Sequence, residues 1–421
     1  MDISTIKSAF KPSSEISDPN FFAGRKETIK KAIIDFQDDG AFMVVHGLRG
    51  VGKSSVAKQL KLIAEGDKRL IKALELEKFV PRKGFNYLTH VVTCDGNTKN
   101  TESLLSRILA GADQNPSLFS NTNAGIGKIQ QLKTKSSTKG SAKIAGLGVE
   151  GNTEQEKSYI TYSTEDVFQH FKQLLGIVRK DNLDKNGILF IIDEFDVLKD
   201  KSGFSSLVKT CSNDFVKFMV VGIANTISEL VEDHSSVGRQ LKSVDVDKMS
   251  EDELWEIIVK AERSIGKDFE FTDDAAGSIT KSADGFPYFV HLLGGEALMR
   301  AFETGQSQID KELTEEIKHD IANGKLYTLY EEMYHDAVKN SQQREILLKL
   351  FAQRQTDEIF SETIYSEAKA DWAITNPTQL MKELTKAGTE TQGVLTKVRE
   401  KYYRFTDPVF KVYANLRTFK F

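Results

Sequence analysis

The stretch at residues 44–55, VVHGLRGVGKSS, constrains the fold of this chain more than any other part of its sequence. Gly47, Gly52, Lys53 and Ser54 match the pattern G-x-x-x-x-G-K-[ST]. Glycines let successive backbone N–H groups point inward at a chain of phosphates. The apolar run before the loop predicts a buried strand, and SSVAKQLKLIAEG after it predicts a helix whose N-terminus faces the anion. The stretch therefore predicts a phosphate-binding loop between a strand and a helix.

This loop, which we refer to as the P-loop, supplies most of the predicted nucleotide contacts. Lys53 is expected to reach the β- and γ-phosphate oxygens of ATP, and the hydroxyl of Ser54 is expected to ligate Mg²⁺. The residues predicted to surround the phosphates are consecutive: Gly47, Leu48, Arg49, Gly50, Val51, Gly52, Lys53, Ser54 and Ser55.

A second strand, in the sequence GILFIIDEFDVL, ends in two carboxylates. Residues 188–192 are all apolar, as expected for a strand covered on both faces, and Asp193 and Glu194 follow. Asp193 is the predicted magnesium residue, and Glu194 is the predicted base that orients and deprotonates the attacking water. Taken alone, the run would be an ordinary buried strand that ends in solvated acids. Its position downstream of a P-loop favours the catalytic interpretation.

A third apolar strand, FVKFMVVGIANT, ends at Asn225, whose amide can position water beside a γ-phosphate. At this point residues of about 15–300 resemble the AAA+ superfamily, and GIANT resembles the origin-recognition and related initiator ATPases. The resemblance implies an α/β fold with a parallel sheet sandwiched by helices, then a helical lid. It gives Asn225 the role of the sensor residue at this strand tip. The DEFD sequence is similar to a helicase box, but there is no room for a second motor domain, and an ABC-type signature is absent.

The sequence Gly285-Phe286-Pro287 stands where ordinary AAA+ ATPases place an arginine that senses the γ-phosphate. It resembles the signal-transduction (STAND) ATPases instead. That resemblance implies that Pro287 packs near the nucleotide and that the lid clamps ADP in a closed resting state. A proline at the first turn of a helix explains the same residues without a nucleotide.

Two arginines are further candidates implied by the resemblance, each with a simpler alternative. Arg25, in the sequence FFAGR, is expected to contact the nucleotide base or the lid, and the alternative is a solvated arginine before a helix. Arg239 occupies the position from which initiator-type proteins reach a neighbour's γ-phosphate, which would imply self-assembly. An ordinary surface arginine is the alternative there.

The predicted domain organisation has four parts. They are an N-terminal linker and helix at 1–40, the nucleotide-binding domain at 41–246, a helical lid and connector at 247–335, and a winged-helix domain at 336–421. A basic insertion at about 114–158 interrupts the second part. Its residues 114–149 contain five lysines and no acid, which is compatible with a solvated loop or with a contact to nucleic acid or an acidic partner.

The C-terminal part predicts three helices, two strands and a closing amphipathic segment, which is the order of a winged helix. From residue 380 to 421 the sequence holds nine basic and four acidic residues, although the whole chain has a formal net charge of -4. A basic third helix and wing are what phosphate contact requires. The alternative, implied by the STAND resemblance, is a packing domain that locks the resting state. No effector domain follows the wing in this sequence, which predicts a separate effector protein.

Composition narrows the setting. Hydrophobic residues make up 39% of the chain, enough for a packed core, and two cysteines cannot build a disulfide framework or a zinc site. The N-terminus lacks the apolar region of a signal peptide, and no apolar run approaches the length of a membrane span, so we expect a cytoplasmic protein.

The sequence therefore predicts a magnesium-dependent ATPase that acts as a nucleotide-driven switch or assembly factor. Anti-phage defence, together with a separate effector, is the setting that the resemblance implies. The alternative is a DNA-binding loader or initiator of replication or transposition. A non-catalytic scaffold that holds ADP is the third possibility, and Glu194 argues against it because a pure binder needs no base.

Overall fold

The computed structural model describes most of the chain. The described residues are 2–110, 164–224, 227–231, 237–266, 268–323, 328–386 and 393–417. The predicted basic insertion at 114–158 and the candidate residue Asn225 lie outside them.

Strands and helices alternate through the first half of the chain, and helices dominate the second half. Among the described residues, the strands are β1 Phe42–Gly47, β2 Tyr87–Thr93, β3 Gly187–Asp193, β4 Val216–Ile223, β5 Leu241–Asp245, β6 Glu270–Phe271, β7 Gln308–Ile309, β8 Ile359–Phe360, β9 Leu395–Arg399 and β10 Tyr402–Phe405. The α-helices are Ile3–Ala9, Lys26–Phe36, Lys53–Ala64, Arg69–Ala73, Thr101–Ala110, Thr164–Asp181, Phe204–Cys211, Ile227–Leu230, Glu251–Ile265, Asp273–Ser282, Pro287–Thr304, Lys311–Ala322, Thr328–Val338, Gln342–Ala352, Ser361–Trp372, Pro377–Thr385 and Pro408–Leu416. Short 3-10 helices cover Glu77–Phe79 and Phe195–Val197.

Contacts divide the chain into two compact units. The sheet unit consists of residues 26–47 and 56–246, and the lid unit consists of residues 1–25, 48–55 and 247–421. The break between 246 and 247 falls at the predicted start of the lid. Residues 48–55 of the P-loop belong to the lid unit, which the sequence did not predict. The four-part domain division stays a prediction.

The sheet unit is built on a parallel five-stranded sheet with the order β2-β3-β4-β1-β5. This confirms the predicted α/β class. The apolar runs form its interior: Phe190 and Phe218 are buried and stack with their ring centroids 5.4 Å apart. Because all strands run the same way, Gly47 at the end of β1, Asp193 at the end of β3 and Ile223 at the end of β4 share the carboxyl edge of the sheet.

The lid unit begins with the helical lid. Its first helix, Glu251–Ile265, opens with the predicted capping box, in which the side chains of Ser250 and Glu253 each accept the other residue's backbone N–H, and it stops at Gly266. The prediction that residues 250–303 are entirely helical was wrong in one detail. Strand β6 pairs in parallel with β7, and Phe271 and Ile309 are buried there, whereas Glu270 and Gln308 are exposed.

The C-terminal part of the lid unit has the predicted helices and strands in the predicted order, with one additional strand, β8, that the sequence did not predict. Helix Gln342–Ala352 is followed by β8, helices Ser361–Trp372 and Pro377–Thr385, then β9, β10 and the closing helix Pro408–Leu416. The three strands form one sheet with the order β8-β10-β9. Interpretation of this part as a winged-helix domain agrees with that order and stays a prediction. Within the described ranges, no helix combines the length and apolar composition needed to cross a membrane.

Candidate functional site

The P-loop joins β1 to the helix Lys53–Ala64, as the sequence predicted. Gly50 and Gly52 have φ angles of +79° and +97°, in the region that favours glycine. Lys53 is the first helical residue and Ser54 the second, so the start of this 12-residue helix carries the two side chains predicted to act on phosphates and magnesium. A helix N-terminus favours a bound anion because its free N–H groups and dipole point the same way.

The side chain of Lys53 is mostly buried and bends back over the loop. Its Nζ donates a hydrogen bond to the backbone carbonyl of Leu48, 2.8 Å away. This contact holds the ammonium group within the turn of the loop rather than in solvent. The ammonium is therefore already close to the backbone that would surround a phosphate.

Arg25 is buried and clamps the P-loop from outside. Its Nη2 donates to the carbonyl of Val51 at 2.7 Å, and its Nη1 donates to the carbonyl of Asp247 at 2.6 Å. The carbonyl of Val51 is therefore turned toward Arg25, and the N–H of the same peptide unit, which belongs to Gly52, points the opposite way. Burial lowers the pKa of the Arg25 guanidinium, and the nearby Glu253 and Asp247 oppose that shift. Both contacts lie within the lid unit, and the predicted role of Arg25 as a base or lid contact stays a prediction.

Two further loop residues contact the rest of the lid unit. The hydroxyl of Ser55 accepts a hydrogen bond from the N–H of Ile16 at 3.0 Å. Pro287 begins the helix Pro287–Thr304, and its Cγ lies 3.8 Å from the point where a Cβ on Gly52 would sit. Pro287 is thus a first-turn proline that also lies beside the P-loop, and its packing near a nucleotide stays a prediction.

The tip of the P-loop contacts the closing helix of the C-terminal part. Nη1 of Arg49 lies 3.4 Å from Oδ2 of Asp407, and the same oxygen accepts a hydrogen bond from the hydroxyl of Tyr330 at 3.1 Å. The other oxygen of Asp407 caps the closing helix by accepting the N–H of Val409 at 2.8 Å. Asp407 therefore joins the P-loop, the connector helix Thr328–Val338 and the closing helix.

Packing at Gly50 is tight. A Cβ on Gly50 would lie 2.6 Å from Cγ2 of Val409 and 3.6 Å from the ring of Phe286. Only a residue without a side chain allows this approach. The sequence pattern did not reveal the contact, because Val409 follows Gly50 by more than 350 positions.

The carboxyl edge of the sheet carries the predicted acids, within the sheet unit. Glu194 follows β3 with φ 54° and ψ 37°, a left-handed conformation, and a 3-10 helix starts directly after it. The N–H of Glu194 donates to Oδ1 of Asp193 at 2.9 Å. Glu194 is exposed and Asp193 is half-buried, so Glu194 is accessible to water.

Neighbouring carboxylates make this edge electronegative. Burial raises the pKa of the Cys94 thiol to about 12, and Arg107 opposes this rise, whereas Asp95, Asp196 and Asp193 add to it. Arg107 is held by Asp95 through an ion pair of 2.7 Å. The thiol of Cys94 is therefore largely protonated at neutral pH.

For the remaining two catalytic candidates, Asn225 and Arg239, the structure gives little or no information about their contacts. Asn225 lies outside the described residues. Arg239 is exposed in a turn that precedes β5. Its predicted role in a neighbour's site stays a prediction.

The residues present are compatible with Mg²⁺ carried by a nucleotide. Among the residues that the structure describes, there is no group of three or more metal-binding side chains. Mg²⁺ in nucleotide sites is typically held by one or two protein ligands together with phosphates and water. Ser54 at the helix start and Asp193 at the strand end are the ligand types that such a site uses.

The basic surface predicted for the C-terminal part is smaller than the sequence count suggests. Arg399 pairs with Glu358 at 3.0 Å, and Lys401 pairs with Glu362 at 3.3 Å. Both acids precede the stretch in which the charges were counted. Two further basic residues, Lys411 and Arg417, are buried in the lid unit. Lys382 and Lys397 are exposed and remain available for phosphate contact.

The residues that sequence reasoning missed are those whose contacts span the chain. Asp407 stands before a proline at the start of a helix, which is a recognisable capping signal. Its partner Arg49 could not be inferred from that signal. Tyr330 carries no motif.

Together, the parallel sheet, the P-loop at the end of β1 and the acids at the end of β3 define a P-loop NTPase of the AAA+ type. The chain matches the sequence model of the family described as Novel STAND NTPase 1 over residues 10–388, and it belongs to that family. A comparison with curated proteins gives no match.

Several solved structures are similar over nearly the whole chain. The Aeropyrum pernix ORC2 protein in its ADP form shares 13% identity, with a TM-score of 0.47 and coverage of 97% of each chain. The Aeropyrum pernix ORC1 protein in complex with DNA shares 12% identity, with a TM-score of 0.45, covering 97% of this chain and 95% of that one. The Thermotoga maritima RuvB Holliday junction branch migration motor shares 14% identity, with a TM-score of 0.43 and coverage of 93% and 94%. Similarity at this level carries no inference about ligands or activity.

Proposed function

We propose that this chain is a magnesium-dependent ATPase that acts as a nucleotide-driven molecular switch or assembly factor. Membership in a STAND NTPase family supports the use of a nucleotide. The observation that supports a switch is the contact of the P-loop with the closing helix, through Arg49 with Asp407 and Gly50 with Val409.

In this proposal, hydrolysis uses the residues of the P-loop and of the carboxyl edge. Lys53 and the backbone N–H groups of the loop would bind the β- and γ-phosphates. Ser54 and Asp193 would hold Mg²⁺, which neutralises charge on the phosphate oxygens when it is bound with ATP. Glu194 would orient the attacking water and accept its proton.

The switch follows from the position of Arg49. This residue belongs to the loop that would surround phosphates, and it also lies against the carboxylate of Asp407. A bound phosphate chain adds negative charge beside the loop and competes with Asp407 for Arg49. Asp407 also caps the closing helix, so a change at Arg49 reaches the C-terminal part directly. The conformation of the C-terminal part can thus depend on whether ATP or ADP occupies the P-loop.

Binding and hydrolysis are tested with two substitutions and two matched controls. Lys53→Ala should abolish nucleotide binding, because it removes the cation placed for the β- and γ-phosphates. Glu194→Gln should keep binding and stop hydrolysis, because the amide preserves size and loses the base. Lys72→Ala and Glu77→Gln, which replace exposed residues of the same types, should behave as wild type. Equal hydrolysis by Glu194→Gln and wild type would remove Glu194 from the mechanism.

The switch itself is tested in the Glu194→Gln variant, which would hold ATP without consuming it. Hydrogen exchange and limited proteolysis of residues 405–416 are compared with ADP and with ATP bound. We expect greater exposure of this segment with ATP. Identical exchange and cleavage in both states would contradict a switch and leave a simple ATPase.

The biological setting belongs to the same proposal. The STAND resemblance supports action with a separate effector protein, and anti-phage defence is the setting we propose for it. Self-assembly would bring Arg239 to a neighbouring site, and the exposure of that residue supports this role. ATP and ADP are the proposed small-molecule ligands.

A second candidate function is a DNA-binding loader or initiator of replication or transposition. The exposed side chains of Lys382 and Lys397 favour it, because they lie on the predicted third helix and wing. The ion pairs of Arg399 and Lys401 with glutamates weigh against it, since they pair two of the four basic residues at 397–404 with acids. We therefore rank DNA binding below the switch.

A further inference from the structure

We propose that Asp196 is a positioning residue for ATP hydrolysis, which fixes the turn carrying Glu194 against the tip of β4. This inference rests on the proposed function, because it assigns a role within the same hydrolysis. Asp196 carries no part of the chemistry assigned so far. All the contacts that support it lie within the sheet unit.

The first observation is a hydrogen bond at the carboxyl edge of the sheet. Oδ1 of Asp196 accepts the backbone N–H of Ile223, 2.9 Å away. Strands β3 and β4 pair in register up to Ile192 and Val220. β3 ends one residue later, at Asp193, whereas β4 continues to Ile223. The side chain of Asp196 therefore accepts an N–H of β4 beyond the end of the ladder with β3.

The second observation is the glycine beside this bond. A Cβ on Gly222 would lie 2.9 Å from Oδ1 of Asp196 and 3.1 Å from its backbone nitrogen. The turn can approach β4 this closely only because residue 222 has no side chain. Both the turn at Asp196 and the glycine in β4 are therefore needed for this close approach. An acid that merely lay on the surface would not need a glycine opposite it.

The third observation is the rigidity of the turn. The N–H of Val197 donates to the carbonyl of Glu194 at 3.0 Å, and the N–H of Leu198 donates to the carbonyl of Phe195 at 3.2 Å. Phe195 and Leu198 are both fully buried. Asp196 lies between these two buried residues. Because the turn is fixed in this way, the hydrogen bond of the Asp196 carboxylate also fixes the position of Glu194.

The consequence concerns the proposed base. Glu194 precedes Asp196 by two positions. The bond between Asp196 and Ile223 therefore ties the chain segment that supplies the proposed base to the tip of β4. In reactions that depend on positioning, a displacement of about 1 Å can cost on the order of 100-fold in rate.

The test compares Asp196→Asn with Asp196→Ala. Asparagine keeps an oxygen that can accept the N–H of Ile223, and alanine does not. We expect Asp196→Ala to lower kcat roughly 10- to 100-fold, with KM and the Kd for a fluorescent ADP analogue unchanged. We expect Asp196→Asn to restore most of kcat. Asp200→Ala is the matched control, because the Asp200 carboxylate bonds Ser202 in the same loop, and it should behave as wild type.

Three results would overturn the inference. Wild-type kcat in Asp196→Ala would show that the bond has no effect on hydrolysis. Equal loss of kcat in Asp196→Asn and Asp196→Ala would assign the effect to the negative charge. A joint loss of nucleotide affinity and thermal stability in Asp196→Ala would make the residue merely structural. If wild type binds the ADP analogue and hydrolyses no ATP, the proposed function fails together with this inference, and the wild-type assay alone identifies that case.

Discussion

Gly50→Ala is the substitution that tests most directly whether the closing helix lies on the P-loop in solution. The new methyl group would sit 2.6 Å from Cγ2 of Val409, and the φ angle of +79° is strained for alanine. The strain costs about 1–2 kcal/mol. Overpacking a tight contact adds roughly 1–3 kcal/mol, since the β-branched side chain of Val409 has little rotamer freedom to move aside. We expect a total destabilisation of about 2–5 kcal/mol.

The chain provides a control that separates these two contributions. Gly203 has nearly the same φ angle, +78°, and nothing lies within 4 Å of a Cβ placed there. Gly203→Ala should therefore cost the strain alone, about 1–2 kcal/mol. Val409→Ala, combined with Gly50→Ala, should remove the overpacking and leave the strain.

The measurement is urea denaturation of the nucleotide-free protein. Both tryptophans, Trp255 and Trp372, lie in the lid unit and report its unfolding by fluorescence. The four proteins with and without Gly50→Ala and Val409→Ala give a double-mutant cycle, with an expected coupling of about 1–3 kcal/mol. A coupling within about 0.5 kcal/mol of zero, the range of independent sites, would refute the contact. It would also remove the support for the proposed switch.

Three other perturbations follow from the structure. Arg239→Ala should bind ATP normally and hydrolyse it poorly, and mixing it with Lys53→Ala should restore part of the activity; a rate per chain that does not depend on concentration would point to a monomer. Burial lowers the pKa of His291 to about 4. Between pH 6.5 and 4, His291 is therefore protonated in the unfolded chain and neutral in the folded chain. The free energy of unfolding should therefore fall by up to roughly 3 kcal/mol as the pH is lowered from 6.5 to 4. If His291→Phe shows the same dependence of this free energy on pH as wild type, the assignment to His291 is wrong. Lys397→Glu should weaken any DNA binding more than Arg399→Glu, because Arg399 is already paired with Glu358, and equal effects in a salt-titrated binding assay would show that this ion pair does not shield the wing.

The sequence predicted the sheet unit well because its signals are local. The apolar runs in β3 and β4 are buried strands, and the P-loop pattern lies between a strand and a helix. A motif of this kind is short, and its chemistry requires fixed spacing. The position of Asp193 at the carboxyl end of β3 follows from strand type and direction, whereas the strand order β2-β3-β4-β1-β5 was not predicted.

The contacts that define the lid unit could not be predicted in the same way. Asp407 meets Arg49 across more than 350 positions, and no local pattern specifies that meeting. Charge counting failed for a related reason. Lys411 and Arg417 are buried, and the acids that neutralise Arg399 and Lys401 lie before the counted stretch. Counting charged residues in a stretch of sequence gives their number. Whether their side chains are exposed or paired depends on how the folded chain packs.

The discontinuity of the lid unit has a consequence for how the protein is made. This unit needs residues 1–25, 48–55 and 247–421 together, whereas translation produces them in order, at about 5–20 residues per second. A nascent chain therefore carries its P-loop for many seconds before the partners Asp407 and Val409 exist. During that interval the P-loop lacks its contacts with the closing helix. A nucleotide that binds then binds before the C-terminal part has been synthesised. The contacts of Arg49 with Asp407 and of Gly50 with Val409 can therefore form only after residues 405–416 have been synthesised.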